Sequence, residues 1–543
     1  MPRVPRLPRS LLVLAVAAAT TAGLVGPAAA APARTSSPGA VRPVLHGIDL
    51  ESATIPDLQR AMDRGTLSAV RLTSFYLRRI RALEPKVNAV LAVNPDALRI
   101  AAASDKRRRH GGARSPLEGI PVLLKDNVDT RDRQPTTAGS LALLASRPAR
   151  DAFLAARLRA AGAVVIGKAN LSEWANFRST NSTSGWSAVG GQTNNPYVLD
   201  RNPCGSSSGS GAGVAANFAT VAIGTETDGS IVCPAGQNGI VGIKPTLGLV
   251  SRSGVVPISA QQDTAGPMAK NVVDAALTLS VLRGIDPADP ATASSAPYLG
   301  VNYLAGLSAD GLRGKRVGLW TAGTGADQDA PTLAVVTRAA ADLRRLGATV
   351  VPVTLPYQDR IGAGEGPALE NEFKQDIRTY LAGRPGPHPR DLAGLIRFNE
   401  ATARIELRYF GQEVFLSAQT RPGDLADPEF GALRESIRSL ARRSIDETLA
   451  AHDLDTIVAA TNSPAWLTTL GEGDAFSVGS SSPAAVSGYP NVTVPAGFSG
   501  PLPVGLSFIG PRYGEADLLR LAYAFERGTQ VRRPPAFLPT LAD

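Results

Sequence analysis

Twice along this chain a short apolar run, a helical segment and a second apolar run follow one another. The first unit goes from residues 120–124 through a helix over 151–161, closed at Gly162, to an extended stretch over 163–166. The second starts at 317–320, passes through a helical stripe of Leu333, Val336, Ala340 and Leu343, and returns as a strand over 349–353. Parallel strands need a crossover of a dozen or more residues, usually a helix. Helices alternating with short apolar strands therefore predict an α/β fold with a largely parallel sheet. A chain of 543 residues, 43% hydrophobic and 19% charged, can fill such a core and lacks a disordered composition. Residues 360–445 break the alternation. They are mostly helical and polar, and read as an insertion rather than as sheet. Ahead of the first unit, Thr54-Ile55-Pro56-Asp57 reads as a capping box with proline at the first helical position. Ser68 caps a second helix that places Leu72, Phe75, Tyr76, Ile80 and Leu83 on one face.

The N-terminus has another character. Arg3, Arg6 and Arg9 precede an apolar stretch over 11–24, and Ala28-Ala29-Ala30 supplies small residues for cleavage, the three-part layout of a secretory signal. The run is too short and too rich in alanine to span a bilayer, so no stable membrane anchor is expected. No arginine pair precedes it and no cysteine follows it, which argues against a twin-arginine signal and a lipoprotein. The expected layout is a signal peptide over 1–30, a flexible linker over 31–45 and one domain over 46–543. The mature protein is expected outside the cytoplasm, extracellular or periplasmic, after cleavage near Ala30. Loss of the three signal arginines lowers the formal charge from +9 to +6. The one dense basic run, Lys106-Arg107-Arg108-Arg109, lies just before Gly111-Gly112 and reads as a solvated helix end. No aromatic residues interleave with it, so no nucleic-acid partner is expected. His46, His110, His388 and His452 show no ligand spacing, and no metal is expected. No feature points to a particular oligomeric state.

Lysine is used sparingly, eight times among 56 basic residues. One of the eight, Lys125 in GIPVLLKDNVD, ends the apolar run Ile120 to Leu124, where burying a charge is expensive. An ordinary lysine has a pKa of about 10.4, so about one in a few thousand is neutral at pH 7. Desolvation lowers that value and turns the amine into a base, a role arginine cannot take because it does not lose its proton. The competing reading is a surface turn in which Lys125 pairs with Asp126.

Residues 203–230 read PCGSSSGSGAGVAANFATVAIGTETDGS. Gly205 to Gly209 fit the G-x-S-x-G pattern, but that pattern needs a downstream histidine, and neither His388 nor His452 sits at a strand end. Gly209, Gly211 and Gly213 match neither a P-loop nor a dinucleotide fingerprint. The remaining reading is a small-residue turn entering a close-packed helix.

Lys125 in GIPVLLKDN, Ser206 in CGSSSGS and Ser230 in GTETDGSI stand in the order and approximate spacing of the amidase signature family. The resemblance continues through GIVGIKPT, residues 239–246, to SGYPNVTVPAGFSGPLPVGLSFIG, residues 487–510, and so covers nearly the whole mature chain. Within that family, GTETDGSIVCPAG and NLSEWANFRSTNSTSGWSAVGGQTNNPY are most similar to the bacterial peptide amidases, which deamidate C-terminal peptide amides. Asp228, where most of the family carries glycine, and the third serine Ser208 resemble that branch too.

The resemblance implies an α/β/α sandwich whose central sheet is mixed, largely parallel and twisted, and covered by helices. It implies a Ser-Ser-Lys triad, with Lys125 as base, Ser206 as relay and Ser230 as nucleophile, and a cis peptide bond entering Ser206. Backbone N–H groups of Thr227, Asp228, Gly229 and Ser230 would form the oxyanion hole. Asn176 and Gln192 would meet the substrate, with structural hydrogen bonding as the alternative for both. The helical region 360–445, which carries Phe373, Tyr380, Phe398, Tyr409 and Phe410, is expected to shape a substrate funnel, with core packing as the commoner role for such aromatics. No cofactor is required, and the partner would be a peptide or small-molecule amide. Three rivals follow: an aryl or acyl amide hydrolase of broad specificity, the A-type subunit of a glutamyl-tRNA amidotransferase, and a secreted binding protein without catalysis. The signal peptide argues against the second and the intact triad against the third. Cys204 and Cys233 would be neighbours if the two serines meet. Export permits a disulfide, and the expectation is buried free thiols.

Overall fold

The apolar runs become strands of one eleven-stranded sheet in the computed structural model, which describes residues 43–542. The signal segment and all but the end of the linker lie outside the described residues. Strand pairing already begins at Val44–Leu45, inside the stretch read as linker, where it meets Ile48–Asp49 in a two-stranded ribbon.

In chain order the large sheet contains β1 (Val90–Val93), β2 (Pro121–Lys125), β3 (Val164–Ala169), β4 (Val221–Glu226), β5 (Val241–Lys244), β6 (Thr264–Ala269), β7 (Arg316–Trp320), β8 (Thr349–Val353), β9 (Thr456–Ala460), β10 (Asn491–Ser499) and β11 (Leu502–Ile509). Their spatial order is β8-β7-β9-β11-β10-β5-β6-β4-β2-β3-β1. Parallel pairing occurs in two blocks, β4-β2-β3 and β8-β7-β9. These hold the two units that the sequence marks as strand, helix, strand. The expectation of a largely parallel sheet holds for them, whereas β11, β10, β5 and β6 join the blocks through antiparallel pairs. A parallel central strand is covered on both faces and needs a continuous apolar run. β2 obeys this, with Val122, Leu123 and Leu124 fully buried.

Local signals act as read, with small shifts. Thr54 and Asp57 cap each other reciprocally at the start of helix Ile55–Asp63, so Pro56 is its second residue rather than its first. Ser68 accepts from the Arg71 N–H and starts helix Ala69–Val87, which buries Leu72, Tyr76 and Ile80. Asp329 caps helix Ala330–Arg345, whose buried face is Thr332, Val335, Val336, Ala339, Ala340 and Leu343. Leu333 lies outside that face and is exposed. The basic run closes helix Ala97–Gly111 and is largely exposed, with Arg108 paired to Asp63.

Between β8 and β9 the chain is helical, as Gln358–Ala382, Leu392–Ala401, Ala403–Glu406, Glu413–Thr420 and Pro428–Ala451. This insertion has its own apolar core. Phe373, Ile377, Leu381, Leu395 and Phe415 pack with Leu143 and Trp174 of the sheet domain. Phe373 and Phe415 are fully buried, each contributing about 2–3 kcal/mol. Phe373 is therefore core, not funnel wall. The insertion is thereby clamped beside the C-terminal ends of β2 and β4, where ligands of parallel sheets bind.

Candidate active site

Lys125 is the last residue of β2, its side chain fully buried. Its Nζ lies 2.8 Å from Ser206 Oγ, 2.9 Å from Thr225 Oγ1 and 3.1 Å from the Thr225 carbonyl. Burial pushes its pKa down to about 7, against the partial opposition of Asp263 and Glu226. The neighbouring Asp126 faces elsewhere. One of its oxygens accepts from the Thr137 N–H, and the other faces Lys168 Nζ at 3.8 Å. The surface-pair reading of Lys125 is thus excluded.

Ser206 is held from several sides. Cys204 has a left-handed backbone (φ 57°), and the Gly205–Ser206 bond is cis, as the resemblance implies. The Ser206 carbonyl accepts from the Ser172 N–H at 3.1 Å. Ser208 Oγ donates to the Cys204 carbonyl at 2.7 Å, and Ser207 Oγ to that of Thr225 at 3.0 Å. Gly205 is obligatory, because a Cβ there would stand 2.2 Å from Ser172 Oγ and 2.7 Å from Ser184 Oγ. Helix Ser208–Ala215, which follows, is buried throughout. A Cβ on Gly209 would approach the Ala89 carbonyl to 2.3 Å. The small-residue reading is therefore correct as well, since close packing sets the composition of this helix.

Ser230 sits in the turn between β4 and helix Val232–Gln237, buried at 8% exposure. Its carbonyl accepts from the Ser207 N–H at 3.1 Å, which ties it directly to the Ser206 segment. Cys204 and Cys233 form a disulfide across the same two segments, correcting the expectation of free thiols. The correction has a physical cause: joining the serine segments aligns two cysteines that flank them. Gly229 has φ 76°, a conformation that favours glycine. Among the described residues no protein acceptor takes the N–H of Asp228, Gly229 or Ser230. The Thr227 N–H has none either, so four successive donors are left for an incoming oxygen. Thr227 is pinned through its hydroxyl to Asp263 at 2.6 Å.

Asn176 lies at the Gly205 turn, with its Oδ1 3.0 Å from where a Cβ on Gly205 would stand. Its Nδ2 donates to Ser182 Oγ and Ser184 Oγ, and the backbone from Trp174 to Asn176 is left-handed throughout. Gln192 donates its amide to the carbonyls of Ser184 and Thr193. Both amide groups thus serve the loops around Ser184. Tyr409 and Phe410 pack edge-on against Trp186. The ring nitrogens of His388 face the carbonyls of Pro389 and Arg384, and exposed His452 ends helix Pro428–Ala451, so neither completes a serine-histidine pair. Sequence reasoning missed Thr225 and Glu226. Thr225 supplies two of the three Lys125 partners, and Glu226 caps the turn after Ser230 by accepting from the N–H groups of Ile231 and Val232. Both lie in GTETDGS beside Ser230, where only their proximity to the serine marks them.

Among the described residues no group of three or more His, Cys, Asp or Glu side chains is placed to hold a metal, and no helix is long and apolar enough to cross a membrane. A buried amine, a serine hydroxyl at hydrogen-bond distance and a turn of free N–H groups suit acyl transfer from an amide or ester. Comparison with known proteins narrows this. The amidase family model matches residues 71–519. The crystal structure of native peptide amidase from Stenotrophomonas maltophilia is 51% identical, with a TM-score of 0.86, covering 90% of this chain and 99% of that one. A probable amidase of Arabidopsis thaliana is 42% identical over 90% of this chain and 92% of its own length. The A-type subunit of the glutamyl-tRNA(Gln) amidotransferase of Chloroflexus aggregans is 36% identical over 90% of this chain and 99% of its own. The chain belongs to the amidase family and is a hydrolase of amide carbon–nitrogen bonds.

Proposed function

We propose that this enzyme removes the C-terminal amide of peptides as ammonia, using Lys125, Ser206 and Ser230. The observation that carries the reading is the 2.8 Å contact between the buried Lys125 amine and Ser206 Oγ. Neutral Lys125 takes the Ser206 proton while Ser206 takes that of Ser230. Ser230 Oγ then attacks the amide carbonyl, and the developing oxyanion is received by the N–H groups of Asp228, Gly229 and Ser230. The relay runs in reverse to protonate the leaving nitrogen, ammonia departs, and water hydrolyses the seryl ester with the same base. Preference for peptide amides is supported by the 51% identity to peptide amidase, against 36% to the amidotransferase chain. A peptide amidase of that kind has also been crystallised with the competitive inhibitor chymostatin. Export rests on the first thirty residues.

The test is ammonia release from a short C-terminally amidated peptide, beside a peptide whose only amides are Gln and Asn side chains, and an aryl amide. Release from the first alone, absent in Ser230→Ala, supports the proposal. Turnover of the aryl amide alone would retain the chemistry and discard the peptide preference. Recovery of an uncleaved chain in the cytoplasmic fraction would sink export.

A further inference from the structure

Behind the 227–230 turn, the helical insertion delivers an acid to another acid. Helix Gln358–Ala382 brings Glu365 into hydrogen-bond contact with the carboxyl of Asp228. Asp228 Oδ2 accepts from Ser482 Oγ at 2.6 Å. Glu365 Oε1 accepts from Gln262 Nε2 at 2.5 Å, and the same amide donates to the Thr227 carbonyl at 3.0 Å. Gln262 is itself oriented by Arg434, whose Nη1 donates to Gln262 Oε1 at 3.0 Å and whose Nε donates to Glu372 at 2.7 Å. Glu365 thus grips the turn at two successive residues, Asp228 directly and Thr227 through Gln262. On the other side, Ser481 Oγ lies 3.0 Å from where a Cβ on Gly229 would stand.

Two touching carboxylates, both half-buried, cannot both be charged cheaply. A proton on Glu365 supplies Asp228 with a donor beyond the hydroxyls of Ser481 and Ser482. We propose that Asp228 and Glu365 share one proton, and that this pair is the positioning device holding the 227–230 turn with its N–H groups aimed for catalysis. The positioning role rests on the activity proposed above.

The surrounding charges do not replace that proton. The cations facing the pair are Arg434, from helix Pro428–Ala451, and Lys244, at the end of β5. Arg434 is clamped by Glu372, and Lys244 is attracted to Glu226 and Glu515. Glu226 adds a repulsion of its own with Asp228. From the segment before and within helix Ser482–Ser487 only the hydroxyls of Ser481 and Ser482 reach Asp228. Burial, and then the charge of Asp228, push Glu365 up to about 8.

The test uses the mature full-length protein, Glu365→Gln, whose amide keeps a neutral donor, and Glu365→Ala. For the wild type, kcat for ammonia release should fall above about pH 8. In Glu365→Gln that alkaline limb should move up by more than one pH unit with KM unchanged. Glu365→Ala should lower kcat about tenfold or more at pH 7.5, as expected when a donor turn loosens, and Glu365→Gln should recover most of it. Melting is followed in parallel. A carboxyl protonated in the fold and ionised in the unfolded chain makes stability decline between about pH 4.5 and 8 and level off above. The melting temperature of the wild type relative to Glu365→Gln should decline over that window. A constant difference would overturn the shared proton. An alkaline limb unmoved in Glu365→Gln would overturn the positioning role. A wild type silent on every amide would overturn the positioning role together with the proposed activity, and the melting comparison would still decide the proton.

Discussion

Replacing Lys125 by arginine keeps a cation at the end of β2 and removes the possibility of a neutral amine. Burial places the Lys125 pKa at about 7, from an ordinary 10.5. At pH 7 about half of the molecules then carry the free base, against about one in 3,000 for an unperturbed lysine, a gain of roughly a thousandfold. The rate of ammonia release should therefore climb with unit slope between about pH 5 and 7 and flatten above, until the alkaline limb begins. Lys125→Arg should lose the base entirely, costing about 10²–10⁴ in kcat, and Lys125→Met should match it. The shift also has a stability consequence. A lysine whose folded pKa is depressed binds fewer protons in the fold than in the unfolded chain between about pH 7 and 10.5. Stability should rise across that window, by an amount on the order of 5 kcal/mol from this group alone. The penalty is in full force below pH 7. Measured by urea melts, the rise should be smaller in Lys125→Met than in the wild type by about that amount, the remainder coming from Lys244 and Lys270. A flat activity profile from pH 5 to 8, or an arginine variant within tenfold of wild type, would refute the reasoning.

Three further outcomes are expected. Ser230→Ala and Ser206→Ala should each lower kcat by roughly 10³ or more with folding intact by circular dichroism, as removal of a nucleophile or relay does. Replacing Cys204 and Cys233 by serine opens a 29-residue separation. It should cost about 3–4 kcal/mol of stability, read as a lower melting temperature that reductant no longer changes. Gly205→Ala should impair both activity and stability, because its Cβ would meet two short serine side chains at 2.2 and 2.7 Å with no flexible end to yield. A fully active alanine variant would show that the turn can shift as a whole.

What could be read from sequence follows the range of the interactions. The capping box at Thr54 and the helix start at Ser68 are contacts within three residues, and both are as expected. The apolar run 120–124 names a buried strand because β2 is covered on both faces. Leu333 is exposed because Val335, Val336, Ala339 and Ala340 compete for the same helix face, and only the sheet beneath decides which arc is covered. That Cys204 and Cys233 meet followed from the meeting of the two serines, but whether they join or stay as buried thiols was not legible in the sequence. Glu365, by contrast, was hidden by distance in sequence. It comes from a polar helix of the insertion, 137 residues after Asp228, and meets it only once the insertion docks.

The lysines show where local reading stops being sufficient. Four of the eight, Lys125, Lys168, Lys244 and Lys270, are buried. Lys168 also ends an apolar run, in VVIGKA of β3, so position alone does not separate it from Lys125. Their partners do. Lys168 donates to the Val128 carbonyl and to Thr136 Oγ1, and its charge is answered by Asp126. Lys270 contacts the Leu50 carbonyl and Asn217 Oδ1 with Glu51 nearby, and Lys244 lies in the field of Glu226 and Glu515. Lys244 and Lys270 are each pushed down only to about 8. Lys125 has no carboxylate at ion-pair distance among the described residues, is pushed down to about 7, and directs its amine at a serine. Burial makes an amine reluctant to hold its proton, but a base also needs a hydroxyl to take one from. Of these four lysines, Lys125 alone combines a serine hydroxyl with the absence of a paired carboxylate. Moving a carboxylate to it, as Thr225→Asp would, should raise its pKa and shift the acid limb of activity upward.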